Sequence, residues 1–323
     1  MRALVVSNML ADASRPERGR FVRDQVAALR ALEDIDVQLH EFAPGKRELL
    51  AAAPAMRRRL GGQRFDVVHA HFGLSAWPAL AVPARVRALT MHGTDLSHPL
   101  TRRATLAVLR RMQLPAVASE ALLAQLPPAA AARAQVLPVG ADLERFKPLA
   151  REQAQQRLGL DATRPYLLFP ADPARAEKRH DLARALATAT ETELLALGGV
   201  DPDQVPLWVN AANAVLVPSD REGFGLAVVE ALACDVPVLA TPVGIHPRVL
   251  AGVAGTLCAP FDLQAWHAAL EPHLQDPDPR VDGRAAAEPY SASACARAVL
   301  MAWRGALADA GASSAARAAA GSV

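Results

Sequence analysis

The chain has 323 residues, of which 51% are hydrophobic and 21% charged, and its formal net charge is +2. This length allows two domains of roughly 150 residues each, and a charge so close to neutral gives no overall case for nucleic acid binding. No apolar run approaches the roughly 18 residues of a membrane span, and the apolar start is too short for a signal peptide. Three cysteines without metal or redox spacing favour reduced thiols and a cytoplasmic location.

Short apolar strands alternate with helical stretches along the whole chain, which predicts doubly wound α/β architecture. The first series of predicted strands spans 3–7, 37–41, 67–71, 88–92, 116–119 and 135–137. The second series spans 166–170, 194–197, 214–217, 236–240 and 256–257. Two similar series predict two Rossmann-like domains.

The domain boundary is expected in the polar stretch near residue 160. We predict an N-terminal acceptor domain over 1–160, a C-terminal nucleotide-sugar domain over 161–285, a helix over 286–310 that packs back on the first domain, and a disordered tail over 311–323. Because ligands of open α/β sheets collect at the carboxyl ends of the strands, the site is expected in a cleft between the domains.

Two carboxylates lie eight residues apart in the segment 218–244: Glu222 in a glycine-rich turn and Glu230 in an apolar helical run. An ionised carboxylate among apolar residues needs a partner. Gly223 and Gly225, around Phe224, let a ligand approach the helix start, where amide donors and the helix dipole favour an anion. The pattern predicts a pocket for a phosphate and a polyol together, as in a nucleotide sugar.

The sequence Pro-Ser-x-x-Glu-Gly-Phe-Gly-Leu and the Glu-x7-Glu spacing resemble the signature of retaining GT-B glycosyltransferases of family 4. The resemblance implies that Glu222 contacts hydroxyls of the transferred sugar and that Glu230 holds the ribose. It also implies donor contacts along the helix start from Gly223 to Leu226. The alternative is an ordinary strand-turn-helix with a capping glutamate and a second glutamate at the edge of the core.

A basic loop follows the strand that ends at Phe169, and it resembles the family loop that carries an Arg and a Lys to the donor diphosphate. Lys178 matches the family Lys. Asp172 and Pro173 stand where the family has its Arg, so Arg175 is the candidate substitute. The alternative is a solvated basic turn.

In the first half, Gly19 precedes the first helix, where the family has a glycine loop that approaches the phosphates. Thr-Met-His-Gly-Thr-Asp resembles a family motif that places its histidine, here His92, near the donor sugar. His69 and His71 also end a strand. A metal site built from the three histidines is disfavoured because no carboxylate or cysteine joins them at ligand spacing.

The resemblance implies a hexosyltransferase that moves a sugar from a nucleotide-diphosphate donor to an acceptor hydroxyl with retention of configuration. No metal or other cofactor is expected, because Lys178 and the helix start neutralise the diphosphate, and Glu222 and His92 complete the catalytic set. The alternatives are a GT-B epimerase or hydrolase and a degenerate nucleotide-sugar-binding partner protein. A dinucleotide dehydrogenase is disfavoured because no Gly-x-Gly-x-x-Gly follows the first strand.

Length and the Glu-Lys-Arg-x-Asp-Leu loop are similar to those of bacterial transferases of cell-surface polysaccharide assembly, which implies a glycan or lipid-linked glycan acceptor. Arg57, Arg58 and Arg59 are candidates for peripheral contact with the inner face of a membrane, and a solvated face is the alternative.

Overall fold

A computed structural model describes the backbone of residues 1–320 and the side chains through residue 312. By its contacts the chain divides into two compact units. Unit 1 comprises Met1–Asp12, Arg18–Gly140 and the segment that starts at Ser293, and unit 2 comprises Ala13–Glu17 and Ala141–Ala292.

Each unit contains one parallel sheet. The strands of unit 1 are β1 (Arg2–Ser7), β2 (Asp36–Glu41), β3 (Phe65–His71), β4 (Ala84–Met91), β5 (Leu114–Val117) and β6 (Gln135–Val136). Those of unit 2 are β7 (Tyr166–Phe169), β8 (Glu193–Ala196), β9 (Ala214–Val217), β10 (Val238–Ala240) and β11 (Leu257–Cys258). Every predicted strand is present, and the predicted fold class, two Rossmann-like α/β domains, is confirmed.

Helices flank both sheets. In chain order they are α1 (Arg20–Arg30), α2 (Lys46–Leu60), α3 (Gly73–Ala79), α4 (Thr94–Ser97), α5 (Pro99–Leu109), α6 (Glu120–Leu123), α7 (Pro128–Ala131), α8 (Arg151–Leu158), α9 (His180–Ala189), α10 (Val205–Ala211), α11 (Leu226–Ala233), α12 (His246–Val249), α13 (Leu263–Gln275), α14 (Arg284–Ala287) and α15 (Ala292–Ala320). Among the described residues, none of these helices is both long and apolar enough to cross a membrane.

The strand order fixes where each sheet can bind a ligand. Unit 1 has the order β2-β1-β3-β4-β5-β6, and unit 2 has β8-β7-β9-β10-β11 when read from the corresponding edge. In both sheets the order reverses between the first and third strands, which are β1 and β3 in unit 1 and β7 and β9 in unit 2. A doubly wound sheet binds ligands beyond the carboxyl ends of its strands at this switch point, so the loops after these strands are the places to look for a site.

The two cores come from the apolar faces of the sheets. In unit 1, Val5 and Val67 pack with Val26 of α1 and with Trp303 of α15. In unit 2, α9 and α13 cover a core that includes Leu167, Leu216 and Trp266, all of which are fully buried. Burial on both faces explains why the strands read as short continuous apolar runs.

The unit boundary differs from the predicted one near residue 160, because residues 141–160 lie in unit 2. There α8 packs on α10. Arg151 donates to Asn213 Oδ1 over 3.3 Å, and Gln155 donates to the carbonyl of Ala211 over 3.0 Å. These polar contacts hold α8 in unit 2, and the composition of the segment does not predict them.

The C-terminal end also differs from the predicted disordered tail over 311–323. Helix α15 continues to Ala320, in keeping with the high helix propensity of an alanine-rich segment. Residues 321–323 of the predicted tail lie outside the described residues. Upstream, Ala296, Val299 and Trp303 of α15 belong to the core of unit 1.

Candidate active site

The loops after β7 and β9 bring Lys178 and Glu222 together at the switch point of unit 2. Lys178 ends a 3₁₀ turn (Ala176–Lys178), and its Nζ lies 2.7 Å from both carboxylate oxygens of Glu222. The hydroxyl of Ser219 donates to Oε1 of the same carboxylate over 2.8 Å. The side chains of Lys178 and Glu222 are only 15% and 9% exposed. The two predicted catalytic groups of this unit therefore form a nearly buried ion pair.

The turn between Glu222 and α11 depends on glycine. Gly225 has a φ of 106°, and a Cβ at this position would lie 2.5 Å from His246 Nε2. Gly244 in the loop after β10 has a φ of 59°, and its Cβ would lie 2.3 Å from the carbonyl oxygen of Phe224. Left-handed backbone and the lack of room together exclude a larger residue at both positions. The start of α11 is thus held against the next loop.

Helix α11 presents one half-exposed face. Leu226, Ala227 and Glu230 are half-buried, whereas Val228, Val229 and the residues from Ala231 to Ala233 are fully buried. Glu230 therefore does not lie in the core: it shares the open side of α11 with the first turn, about one turn further along. Leu226 and Glu230 are four residues apart, so they lie on the same face of the helix.

The two arginines of the basic loop, Arg175 and Arg179, form ion pairs with nearby carboxylates. Arg175 lies 2.7 Å from Glu177 and is 45% exposed. Arg179, which follows Lys178 directly, lies 2.9 Å from Asp181 and 3.0 Å from Asp220. Arg175 is therefore in the predicted loop, while Lys178 is the cation that the structure brings to Glu222. The role of Arg175 as a substitute for the family Arg stays a prediction.

A chain of hydrogen bonds connects Glu222 to His246 through Ser219 and Thr241. His246 Nδ1 lies 2.8 Å from the carbonyl oxygen of Thr241, and the Thr241 hydroxyl donates to the carbonyl of Ser219 over 2.5 Å. Ser219 in turn donates to Glu222. Burial lowers the pKa of His246, opposed by its bond to Thr241 and by the charge of Glu222. A neutral His246 bonded to a carbonyl must donate from Nδ1, which anchors the chain.

In unit 1, His92 follows β4 and its backbone is fixed by a buried carboxylate. Asp95 accepts hydrogen bonds from the amides of His92 at 3.1 Å, Gly93 at 2.9 Å and Gly73 at 3.3 Å. Burial raises the pKa of Asp95 to about 6 despite these bonds. The amide of Gly73 connects the turn after β4 to the turn after β3, so one carboxylate organises both.

Three histidines of unit 1, His69, His71 and His92, lie side by side at the ends of β3 and β4. His69 Nδ1 accepts from the indole of Trp303 over 3.1 Å, and His69 Nε2 lies 2.8 Å from Thr90 Oγ1. His71 Nδ1 lies 2.9 Å from His92 Nε2. Over the described part of the chain, no three His, Cys, Asp or Glu side chains are placed to share a metal ion.

Gly19, the remaining predicted site residue, is the N-cap of α1 with a φ of 68°. A Cβ there would lie 2.3 Å from the carbonyl oxygen of Met9. The loop after β1 thus passes too close to leave room for a larger residue at position 19, which explains the glycine. Its approach to a phosphate stays a prediction.

Two family profiles match the chain over separate stretches. The profile of Glycosyltransferase Family 4 covers residues 7–145, and that of Glycosyl transferases group 1 covers residues 172–289. The chain is 31% identical over 312 residues to the D-inositol 3-phosphate glycosyltransferase of Frankia alni, with 76% of this chain and 75% of that protein covered. The chain belongs to the family 4 glycosyltransferases.

Solved structures agree on the fold of this glycosyltransferase. Sucrose-phosphate synthase of Thermosynechococcus elongatus is similar with a TM-score of 0.65 and 20% identity, over 99% of this chain and 100% of that one. HepE of Anabaena, in complex with UDP and glucose, has a TM-score of 0.67 and 16% identity, over 93% and 98% of the two chains. The predicted GT-B fold and the predicted hexosyltransferase class of enzyme are confirmed.

Proposed function

We propose that this glycosyltransferase moves a sugar from a nucleotide-diphosphate sugar to an acceptor hydroxyl with retention of the anomeric configuration. The observation that carries the proposal is the meeting of Lys178 and Glu222 at the switch point of unit 2, beside the start of α11. A cation, a carboxylate and a helix N-terminus side by side suit a ligand that is a diphosphate at one end and a polyol at the other.

Each group has a distinct task in this proposal. The ammonium of Lys178 turns from Glu222 to the diphosphate and stabilises the negative charge that develops as the sugar–phosphate bond breaks. The amides at the start of α11 share that charge, so no metal is required. Glu222 then accepts hydrogen bonds from hydroxyls of the transferred sugar. Glu230, on the same open side of α11, accepts from the ribose.

Retention follows if the acceptor hydroxyl attacks the face from which the phosphate leaves. The bond from the anomeric carbon to the phosphate oxygen breaks, the bond to the acceptor oxygen forms, and the acceptor proton passes to the departing phosphate. No side-chain nucleophile is needed. Glu222 already shares its carboxylate with Lys178 and Ser219, which supports a role in holding hydroxyls rather than in attack.

For the acceptor we propose a glycan or lipid-linked glycan at the inner face of a membrane. The exposed cations of α2 support this choice, and together with Leu50 we call them the α2 basic surface. Leu50, which is 79% exposed, lies one helical turn after Lys46. Its members are Lys46, Arg47, Leu50, Arg57, Arg58 and Arg59. Cations around an exposed leucine suit the anionic surface of a lipid bilayer.

Inositol phosphate is a second candidate acceptor. The relative from Frankia alni is named as a D-inositol 3-phosphate glycosyltransferase, and it is 31% identical to this chain. A phosphorylated polyol offers a hydroxyl of the same chemical class as a glycan, so both acceptors fit the same transfer reaction.

The test is a reaction panel with anomer analysis. UDP-, GDP- and ADP-glucose are each incubated with a lipid-linked glycan or with inositol 3-phosphate, and the product is analysed by NMR. We expect one nucleotide to support transfer with an unchanged anomeric configuration, and Glu222→Gln to abolish it while the exposed Glu271→Gln does not. An inverted product contradicts retention. Free sugar alone indicates a hydrolase, and an epimerised nucleotide sugar indicates an epimerase.

A further inference from the structure

His71 and His92 form a hydrogen-bonded pair of imidazoles. Nδ1 of His71 lies 2.9 Å from Nε2 of His92, and the two ring planes differ by 17°. A neutral imidazole has one donor nitrogen and one acceptor nitrogen. One ring must therefore donate and the other accept, and the direction of this bond decides which nitrogen of His92 carries its proton.

His69 cannot take part in that choice, because both its nitrogens are engaged elsewhere. The indole nitrogen of Trp303 is a donor only, so Nδ1 of His69 is its acceptor. Burial lowers the pKa of His69 well below its usual value, and the neutral ring then carries its proton on Nε2 and donates to Thr90. The ring of His69 stacks on His71 at 4.8 Å and offers it no hydrogen bond.

The far nitrogen of His71 settles the direction. The side chain is completely buried, and Nε2 has no hydrogen-bond partner among residues with described side chains. Burial lowers the pKa of His71 to about 3, so the ring carries a single proton. A proton on Nε2 would leave a buried N–H without an acceptor, which is rarer in proteins than a buried acceptor without a donor. The proton therefore belongs on Nδ1.

We propose that His71 is a positioning residue that fixes the tautomer of His92. The Nδ1–H group of His71 donates to Nε2 of His92, so His92 holds its own proton on Nδ1. The nitrogen of His92 that is left for a substrate is thus a hydrogen-bond donor and not a base. This rests on the proposed function in one respect, namely that an oxygen of the substrate lies against His92.

The surroundings of His92 restrict both its backbone and the rotation of its ring. Asp95 holds the backbone amides of His92 and Gly93. The rings of Phe21 and Phe72 lie 4.9 and 4.7 Å from the His92 ring, centroid to centroid. Asp95 thus fixes the backbone of His92, the two aromatic rings fix the plane of its imidazole, and His71 fixes its tautomer. A preorganised hydrogen-bond donor requires all three.

Nitrogen-15 NMR of histidine-labelled wild-type protein tests the tautomer directly. We expect His71 and His92 both to be neutral at pH 7 and both protonated on Nδ1. A proton on Nε2 of His92, or a doubly protonated His92, overturns the proposal. This measurement needs no activity, so it stands apart from the proposed function, which fails if no glycosyl transfer is found.

Variants of His71 add a kinetic readout. His71→Asn keeps an amide N–H where Nδ1 was, and His71→Leu removes it. We expect His71→Leu to lower kcat by about 10- to 100-fold, the range found for partners that orient metal-binding histidines. KM for the nucleotide sugar should be unchanged, and His71→Asn should restore kcat. Equal losses in both variants overturn the proposal. His69→Gln, which keeps a donor toward Thr90, is the control. It should lower stability without lowering kcat selectively.

Discussion

Lys178 and Glu222 come from loops 44 residues apart in sequence, and the ammonium of one lies 2.7 Å from both carboxylate oxygens of the other. Both groups belong to the proposed donor site, and each satisfies the other. In the proposed reaction a donor would therefore compete with Glu222 for Lys178. The pair keeps two nearly buried charges compensated, and we propose that a diphosphate and a sugar hydroxyl replace the two partners.

The first prediction concerns the strength of this pair in the ligand-free enzyme. Lys178→Met or Glu222→Gln alone leaves a nearly buried group without its partner, so each should lower the free energy of unfolding by about 2 kcal/mol. The double variant should lose less than the sum, with a coupling of about 1 to 2 kcal/mol in denaturant unfolding.

A matched exposed pair serves as the control for this cycle. Arg164 and Glu193 lie 3.4 Å apart with side chains 56% and 45% exposed. Solvent screening should reduce their coupling to below about 0.5 kcal/mol. Equal coupling in the two pairs would contradict the buried character that we assign to Lys178 and Glu222.

The second prediction concerns the glycine at the start of α11. Gly225→Ala adds a Cβ in a left-handed backbone and against His246, so the free energy of unfolding should fall by about 2 to 4 kcal/mol. The double variant Gly225→Ala with His246→Ala lacks the imidazole. In the His246→Ala background, Gly225→Ala should therefore cost only the conformational part of the lost free energy of unfolding and not the part due to crowding.

Gly199 separates the two contributions. Its φ is 71°, but a Cβ there meets no atom within 4 Å among the described residues. Gly199→Ala should therefore lose only the conformational part, about 1 kcal/mol. If Gly225→Ala costs no more than Gly199→Ala in the same thermal unfolding assay, the close contact with His246 is not a constraint.

The third prediction concerns pH and Asp95. The pKa of Asp95 is raised from its ordinary value of 3.8 to about 6 by burial. Between these values the folded state binds more protons than the unfolded state, so this group's contribution to stability is full below about pH 4 and is lost as pH rises through about 6. The loss is on the order of 3 kcal/mol.

Asp95→Asn removes this titration while keeping an acceptor for the backbone amides. Denaturant unfolding at pH 4.5 and pH 7.5 should show the wild type losing stability relative to Asp95→Asn as pH rises. A stability difference between the two proteins that stays constant across this range would mean that Asp95 is already ionised at the lower pH.

The fourth prediction concerns the α2 basic surface. Arg57→Ala, Arg58→Ala and Arg59→Ala combined should reduce binding to vesicles that contain anionic lipid, by about 1 kcal/mol per removed charge near the surface, and the effect should fade at high salt. Co-sedimentation measures it. Arg110→Ala with Arg111→Ala, just after α5, is the control, and an equal effect per removed charge there would indicate general charge rather than this surface.

Strands, motifs and the loops that contain Lys178 and Glu222 can be predicted because they are encoded locally. Buried parallel strands appear as short apolar runs, and Lys178 and Glu222 each lie in the loop that follows such a run. Parallel strand order then brings the loops together. The sequence predicts correctly which loops of unit 2 meet at the switch point, because this relation depends only on topology.

The supporting residues could not be predicted, because their roles depend on contacts between distant loops. His246 follows an unremarkable Gly-Ile dipeptide, and only the fold places it beneath Gly225 and beside Thr241. The unit boundary at Gly140 depends likewise on Arg151 reaching Asn213, just before β9, and on Gln155 reaching the end of α10. The one available signal was a lone histidine directly after the loop that contains Gly244.

The central claim is that Lys178 belongs to the donor diphosphate site of unit 2, and calorimetric titration tests it most directly. UDP, GDP and ADP are titrated into the wild type, into Lys178→Met and, as a control, into Lys147→Met, whose lysine is exposed in the same unit. We predict that one nucleotide binds the wild type and Lys147→Met equally. Its affinity for Lys178→Met should be about 10- to 100-fold lower, as expected for a lost charge-assisted hydrogen bond. Equal binding to all three proteins, or no binding of any nucleotide to the wild type, would contradict the claim.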